Sequence, residues 1–150
     1  MFRGMPGTDK AVITGRVRLT GRKPMSTGDS QHDYLNLYFK QKFGQPFRDA
    51  MFVVGEANFA ADYGSLYLIF PRGDFNFAWS PEIKDLFNVD FAMEDALYPD
   101  GDDETADVEN FFKWMEGNRY QNSNLKAALL SKNEIMVRSI AYYGITQCTI

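Results

Sequence analysis

The chain has one cysteine, Cys148, and one histidine, His32. A single thiol excludes an intrachain disulfide framework and a Cys-rich zinc site. A single imidazole excludes a His-based metal cluster and a second His for a proton relay. No uninterrupted apolar run approaches the roughly 20 residues that a membrane helix needs. The opening residues, Met-Phe-Arg-Gly-Met-Pro-Gly, put a charge and glycines where a secretory signal needs an apolar stretch. The expectation from these absences is a cytoplasmic protein with no metal and no membrane partner. Common catalytic signatures are also missing: there is no Gly-x-x-x-x-Gly-Lys phosphate loop, no Gly-x-Gly-x-x-Gly turn, no His-Glu-x-x-His helix and no Gly-x-Ser-x-Gly elbow. Ser30, His32 and Asp33 lie close in sequence, but successive helical positions cannot converge as a triad, so His32 reads as a surface helix residue.

What is present is a chain of 150 residues, the size of one average domain (1–150), with 45% apolar and 24% charged residues. That balance belongs to a globular protein. The net charge of −4 is unevenly spread. Residues 90–109 hold nine carboxylates and no basic residue, leaving 16 basic against 11 acidic residues elsewhere. The acidity is therefore local, and the remainder can meet an anionic ligand. Aromatics reach 15%, with 13 Phe and 8 Tyr, mostly at core periodicities.

Patterning gives six or seven strands and three or four helices. Period-two alternation predicts a strand over 11–20 and another through Phe75, Phe77 and Trp79. Short apolar runs at 50–54 and 66–70 read as buried strands, the second halted by Pro71. A helix is expected from Asp29 or Ser30 to Phe43, ended by Gly44. One or two helical turns are expected over 58–63. Ser80-Pro81-Glu82 has the form of a helix start. Thr105 is placed as cap of a helix ending at Gly117, and Asn124 as the opening of another. Strand-like runs follow at 134–138 and 140–146. Strands and helices mix without regular β-α-β alternation, so an α+β fold with small mixed β-sheets is predicted.

Three places are locally unusual. Arg3 sits in the first strand between Phe2 and Gly4, where it is either a frayed terminal cation or a positioned one. Gly55 and Tyr63-Gly64 bracket a short helix after a buried strand, which is also ordinary turn punctuation. Glu134 precedes the apolar run Ile135-Met136-Val137, either as an exposed edge residue or as a buried acid with a useful pKa.

In this order the three places resemble the ADP-ribosyltransferase superfamily, in its Arg–Ser–Glu toxin-like branch. Phe2-Arg3-Gly4 is similar to the family's opening strand. Val53-Val54-Gly55, followed by Ala60-Ala61-Asp62-Tyr63, stands where the family has Ser-Thr-Ser and an Ala-x-x-aromatic helix. Asn133-Glu134-Ile135 is similar to the strand with the catalytic glutamate. The loop Arg22-Lys23-Pro24, with Phe43-Gly44 and Arg48, looks like that of small phage-encoded members. The resemblance implies an NAD-binding cleft between the sheets, NAD as substrate and no metal. Arg3, Gly4, Val54, Gly55 and Tyr63 would hold NAD, and Glu134 would be catalytic. It also implies a macromolecular acceptor, a host protein in a phage setting, with a nucleic acid acceptor left open. Where arginine-modifying members carry Glu or Gln two residues before the catalytic glutamate, this chain has Lys132, which points away from arginine as acceptor. Such an enzyme predicts Arg3 and Glu134 on neighbouring strands facing one ligand. The alternatives are an inactive interaction protein whose acidic segment 90–109 binds a basic partner, and a virion structural protein on a reused fold.

Overall fold

The structure, a computed structural model, describes residues 1–21, 28–101 and 105–146. The sequence features at 22–27, including Arg22-Lys23-Pro24, and Cys148 and the acidic residues 102–104 lie outside the described residues. The strands are β1 Phe2–Met5, β2 Val12–Arg16, β3 Met51–Val53, β4 Ser65–Arg72, β5 Asn76–Trp79, β6 Ile135–Arg138 and β7 Ala141–Thr146. The helices are α1 Asp29–Phe43, α2 Ala57–Ala61, α3 Asp90–Leu97, α4 Val108–Gly117 and α5 Leu125–Ser131, with 3-10 turns at Phe47–Asp49 and Leu86–Val89. The class is α+β. The two sheets are antiparallel throughout, in the orders β1-β4-β7-β2 and β3-β6-β5, rather than mixed.

One bridge joins the two sheets. The Phe2 N–H donates to the Val54 carbonyl at 2.8 Å, and the Val54 N–H returns to Phe2 at 2.9 Å. The strands therefore run in one curled ladder, β2-β7-β4-β1-β3-β6-β5. Side-chain alternation then divides the core. Inside the curl pack Met51, Val53, Tyr67, Ile69, Trp79, Ile135 and Val137. On the outer face of the three-stranded sheet, Met136 and Ala78 pack with Leu35 and Phe39 of α1, Met93 and Leu97 of α3, and Phe111 and Met115 of α4. Among the described residues, no helix covers the outer face of the four-stranded sheet over β2 and β7. Edge-to-face rings hold the helical core together, with Phe39 meeting Tyr120 at 5.0 Å and Tyr38 meeting Phe112 at 5.4 Å.

Several local expectations are corrected. Pro71 does not stop β4, which continues to Arg72 opposite β7. The Ile69 N–H points toward Met1 (2.7 Å), so the nitrogen of Pro71, two residues on, likewise faces away from β7 and leaves the β4–β7 ladder intact. Ser80-Pro81-Glu82 does not open a helix. The Ser80 hydroxyl accepts from the Glu82 and Ile83 N–H groups and donates to the Asn118 carbonyl, which caps a turn and ties it to the end of α4. Asp107 rather than Thr105 caps α4, accepting from the Asn110 N–H at 2.9 Å. Asn124 caps α5 as expected. The 11–20 strand shrinks to Val12–Arg16. His32 is not on the surface: it is 4% exposed, on the buried side of α1.

Gly4 and Gly55 are both explained by packing. A Cβ on Gly4 would overlap the Ala60 carbonyl and Tyr63, so α2 lies directly on β1 there. A Cβ on Gly55 would overlap the Leu129 carbonyl of α5. Because the obstacle at Gly55 is backbone, a side chain cannot swing away. Gly55→Ala is expected to lower the unfolding free energy by about 1–3 kcal/mol, the usual range for overpacking. Urea denaturation measures it, and an unchanged midpoint would mean that α5 stands off from the chain at Gly55.

Candidate active site

Glu134 stands one residue before β6, opposite Val54 in the ladder that pairs Val53 with Ile135. Its N–H donates to the Lys84 carbonyl at 2.8 Å, which draws the segment Lys84-Asp85 alongside. By alternation with Met136, its side chain turns to the outer face of the curl, where Arg48 lies. The Arg48 Nη1 donates to Glu134 Oε1 at 3.3 Å, and the guanidinium stacks 4.6 Å from the Phe52 ring. The Arg48 side chain is almost wholly buried, and that of Glu134 is 17% exposed. One end of this ion pair therefore meets solvent.

Arg48 is held in place from behind. Its backbone N–H donates to Asn36 Oδ1 at 2.9 Å. The amide nitrogen of the same Asn36 donates to Asp49 Oδ1 at 3.2 Å, and His32 Nε2 lies 3.1 Å from that oxygen. Arg138 pins the chain just before this turn through the Pro46 carbonyl at 2.7 Å. His32 and Asp49 thus fix the turn that carries Arg48, a positioning role that a surface histidine could not have.

The surroundings of Glu134 oppose its ionisation. Burial raises its pKa to about 7; Arg48 pulls the other way, and the Asp85 carboxylate adds to the rise. Tyr120, fully enclosed beneath, has its hydroxyl pKa pushed well up by burial and then by Glu134. Tyr63 sits at the open side, 62% exposed, just beyond α2. Its hydroxyl pKa is raised by partial burial, by the carboxylates of Asp85 and Glu134, and by a hydrogen bond to Asp85. Phe59 of α2 carries the Lys84 ammonium 3.8 Å above its ring. The arrangement is a proton-holding carboxyl with a buried cation behind it, a second carboxylate beside it and an exposed ring in front.

Of the residues singled out in the sequence, Glu134, Val54 and Tyr63 come together on this side of the ladder, and Gly4 and Gly55 shape it by letting α2 and α5 approach. Arg3 does not join them. It pairs with Tyr67 in β1–β4, and its side chain shares the inner face with Tyr67 and Tyr142, where burial lowers its pKa. Arg3 on β1 and Glu134 at the start of β6 are therefore not on neighbouring strands, since β3 lies between them, and they stand on opposite faces of one ladder. Arg48 was visible only as part of a family resemblance, and Asp85 and Tyr120 carried no signal, because neither belongs to a motif. Lys132 takes a left-handed backbone (φ 64°) and pairs with Glu56 at 3.1 Å. The acidic segment is partly structural: α3 buries Met93, Ala96 and Leu97, Asp107 caps α4, and Glu109 pairs with Lys113.

Compared with protein-family models, with curated proteins and with solved structures, the chain matches none. Among the described residues no group of His, Cys, Asp or Glu could hold a metal ion, and no helix is long and apolar enough to cross a membrane.

The Glu134 pKa carries a stability prediction. Its unperturbed value is 4.5 and its folded value about 7, so between these the folded chain keeps a proton that the unfolded chain has lost. Parent stability therefore falls as pH rises through this window. Glu134→Gln lacks the titration. Its stability relative to the parent is expected to rise by about 3 kcal/mol between those pH values and to stay level above them. Urea unfolding at stepped pH measures this, and a pH-independent difference would mean a freely solvated carboxylate.

Proposed function

We propose that this protein cleaves NAD and transfers ADP-ribose to a macromolecular acceptor, with Glu134 as the catalytic carboxylate. The observation that carries the reading is the Glu134 carboxyl itself: held at a strand entrance, desolvated, backed by Arg48 and open on one side beneath Tyr63. Glycosidic cleavage of NAD breaks the bond between the nicotinamide nitrogen and ribose C1′. The bonding pair leaves with nicotinamide, and the ribose develops oxocarbenium character. A preorganised carboxylate in a poorly solvated site stabilises that charge strongly. The acceptor then forms its bond to C1′ and gives up its proton. Tyr63 offers an exposed ring to nicotinamide. With Arg3 turned to the inner face, the cation on this side is the exposed Lys84, which is assigned to the pyrophosphate. The cleft of the resembled family is in this reading the crease around Val54 and Glu134, and the acceptor is a host protein of a phage-encoded factor.

Only ionised Glu134 stabilises positive charge, so NAD cleavage is expected to climb with pH through about 7 and then level off. Glu134→Gln is expected to lower the plateau rate above that pH by at least about 100-fold, and the gap between variant and parent should narrow as pH falls and the parent carboxyl takes up its proton. NAD consumption and incorporation of labelled ADP-ribose into host-cell extract are the measurements. A protein that neither binds nor cleaves NAD would sink the reading.

A further inference from the structure

The outer face of the four-stranded sheet has a composition that the Glu134 site does not use. Cross-strand register arranges its side chains in three rows. Val12, Ile145 and Leu68 form the first, Thr14, Tyr143 and Phe70 the second, and Arg16, Ala141 and Arg72 the third. Alternation puts all of them on the side away from Tyr67 and Ile69. Phe70 is 44% exposed and Tyr143 41%, on adjacent strands, so two large rings lie side by side in water. A sheet with one wet face ordinarily shows polar residues there. Here the wet face shows aromatics and arginines. The Arg72 guanidinium lies 5.8 Å from the Tyr143 ring. A hollow of about 160 Å³ opens between Thr14, Arg16, Arg72 and Tyr143. Arg18 is exposed two residues beyond Arg16. Strands β2, β4 and β7 contain no carboxylate at all.

We propose that this face binds single-stranded nucleic acid, with bases stacked on Phe70 and Tyr143 and phosphates held by Arg16 and Arg72. Exposed rings offer a π-face to any base, and flanking arginines supply the charge that tracks a phosphate backbone. Rows two residues apart along a strand stand about 7 Å apart, a spacing that an extended single strand can follow. Duplex hides its base faces and gains only the charge. The chain's net −4 does not oppose this, because the acidic residues cluster at 90–109 and the strands of this face carry none. The proposal does not rest on the Glu134 reading.

The test is fluorescence anisotropy of the full chain with labelled oligothymidylate and oligouridylate of about 12 nucleotides, at about 50 and about 200 mM salt. Binding is expected to both, weaker at the higher salt and weaker for a duplex of equal length. Phe70→Ala and Tyr143→Ala should each lower affinity about tenfold. Phe70→Leu and Tyr143→Leu, which keep apolar bulk without a ring, should do the same. Arg16→Gln should reduce the salt slope by about 0.7. No binding at the lower salt, equal binding of duplex, or unchanged affinity of the ring variants would overturn the proposal. So would a dimer in light scattering that Phe70→Ala dissolves, since the occupant of the face would then be a second copy.

Discussion

Two backbone hydrogen bonds between Phe2 and Val54 decide which way everything else faces. A strand has only two sides, and a single bridge between β1 and the end of β3 is enough to carry alternation from one sheet into the other. Residues in phase with Phe2 and Val54 look outward and those in phase with Arg3 and Val53 look inward. The bridge therefore puts Glu134 outside beside the helices, buries Tyr67 and Ile69 inside the curl, and leaves Phe70 and Tyr143 in water. Shifting the pairing of β1 by one residue would exchange these sets, at the cost of drying arginines and wetting the core.

The buried Arg48–Glu134 pair is the costly element placed on that frame. Removing two charges from water is repaid only by close, well-held geometry. The 3.3 Å contact with one oxygen is modest, and the pKa of about 7 says that burial outweighs the attraction. A pair of this kind is a poor device for stability. It does keep a carboxyl near its titration point on the edge of solvent, the condition that acid–base and charge-stabilising chemistry needs. The layered support from Asn36, Asp49, His32 and Arg138 is consistent with a group whose position matters more than its contribution to folding.

Much of this was legible in the order of residues. The α1 boundaries, the Asn124 cap, the buried strand at 51–53 and the two last strands follow from local propensity and alternation, which act over a few neighbours. Glu134 was legible as an acid at a strand entrance. Its partners were not, because Arg48 and Asp85 reach it from segments 86 and 49 residues away, and no local pattern records such a meeting. The misreadings share that cause. Pro71 is harmless because its nitrogen faces away from the β7 partner strand. Ser80 caps a turn because the Asn118 carbonyl accepts its hydroxyl hydrogen bond. His32 is buried because Asp49 waits on the neighbouring turn.

The sequence by itself determined an α+β chain, the bounds of α1, the Asn124 cap of α5, and the segregation of negative charge into 90–109. These depend on spacing, capping and composition. Only the tertiary structure decided that Arg3 and Glu134 lie on opposite faces, that Arg48 stands behind the carboxyl, and that two rings and two arginines share an open sheet. Face and proximity are properties of pairing between distant strands. In this chain they turn on one bridge between residues 52 positions apart, which no short-range rule contains.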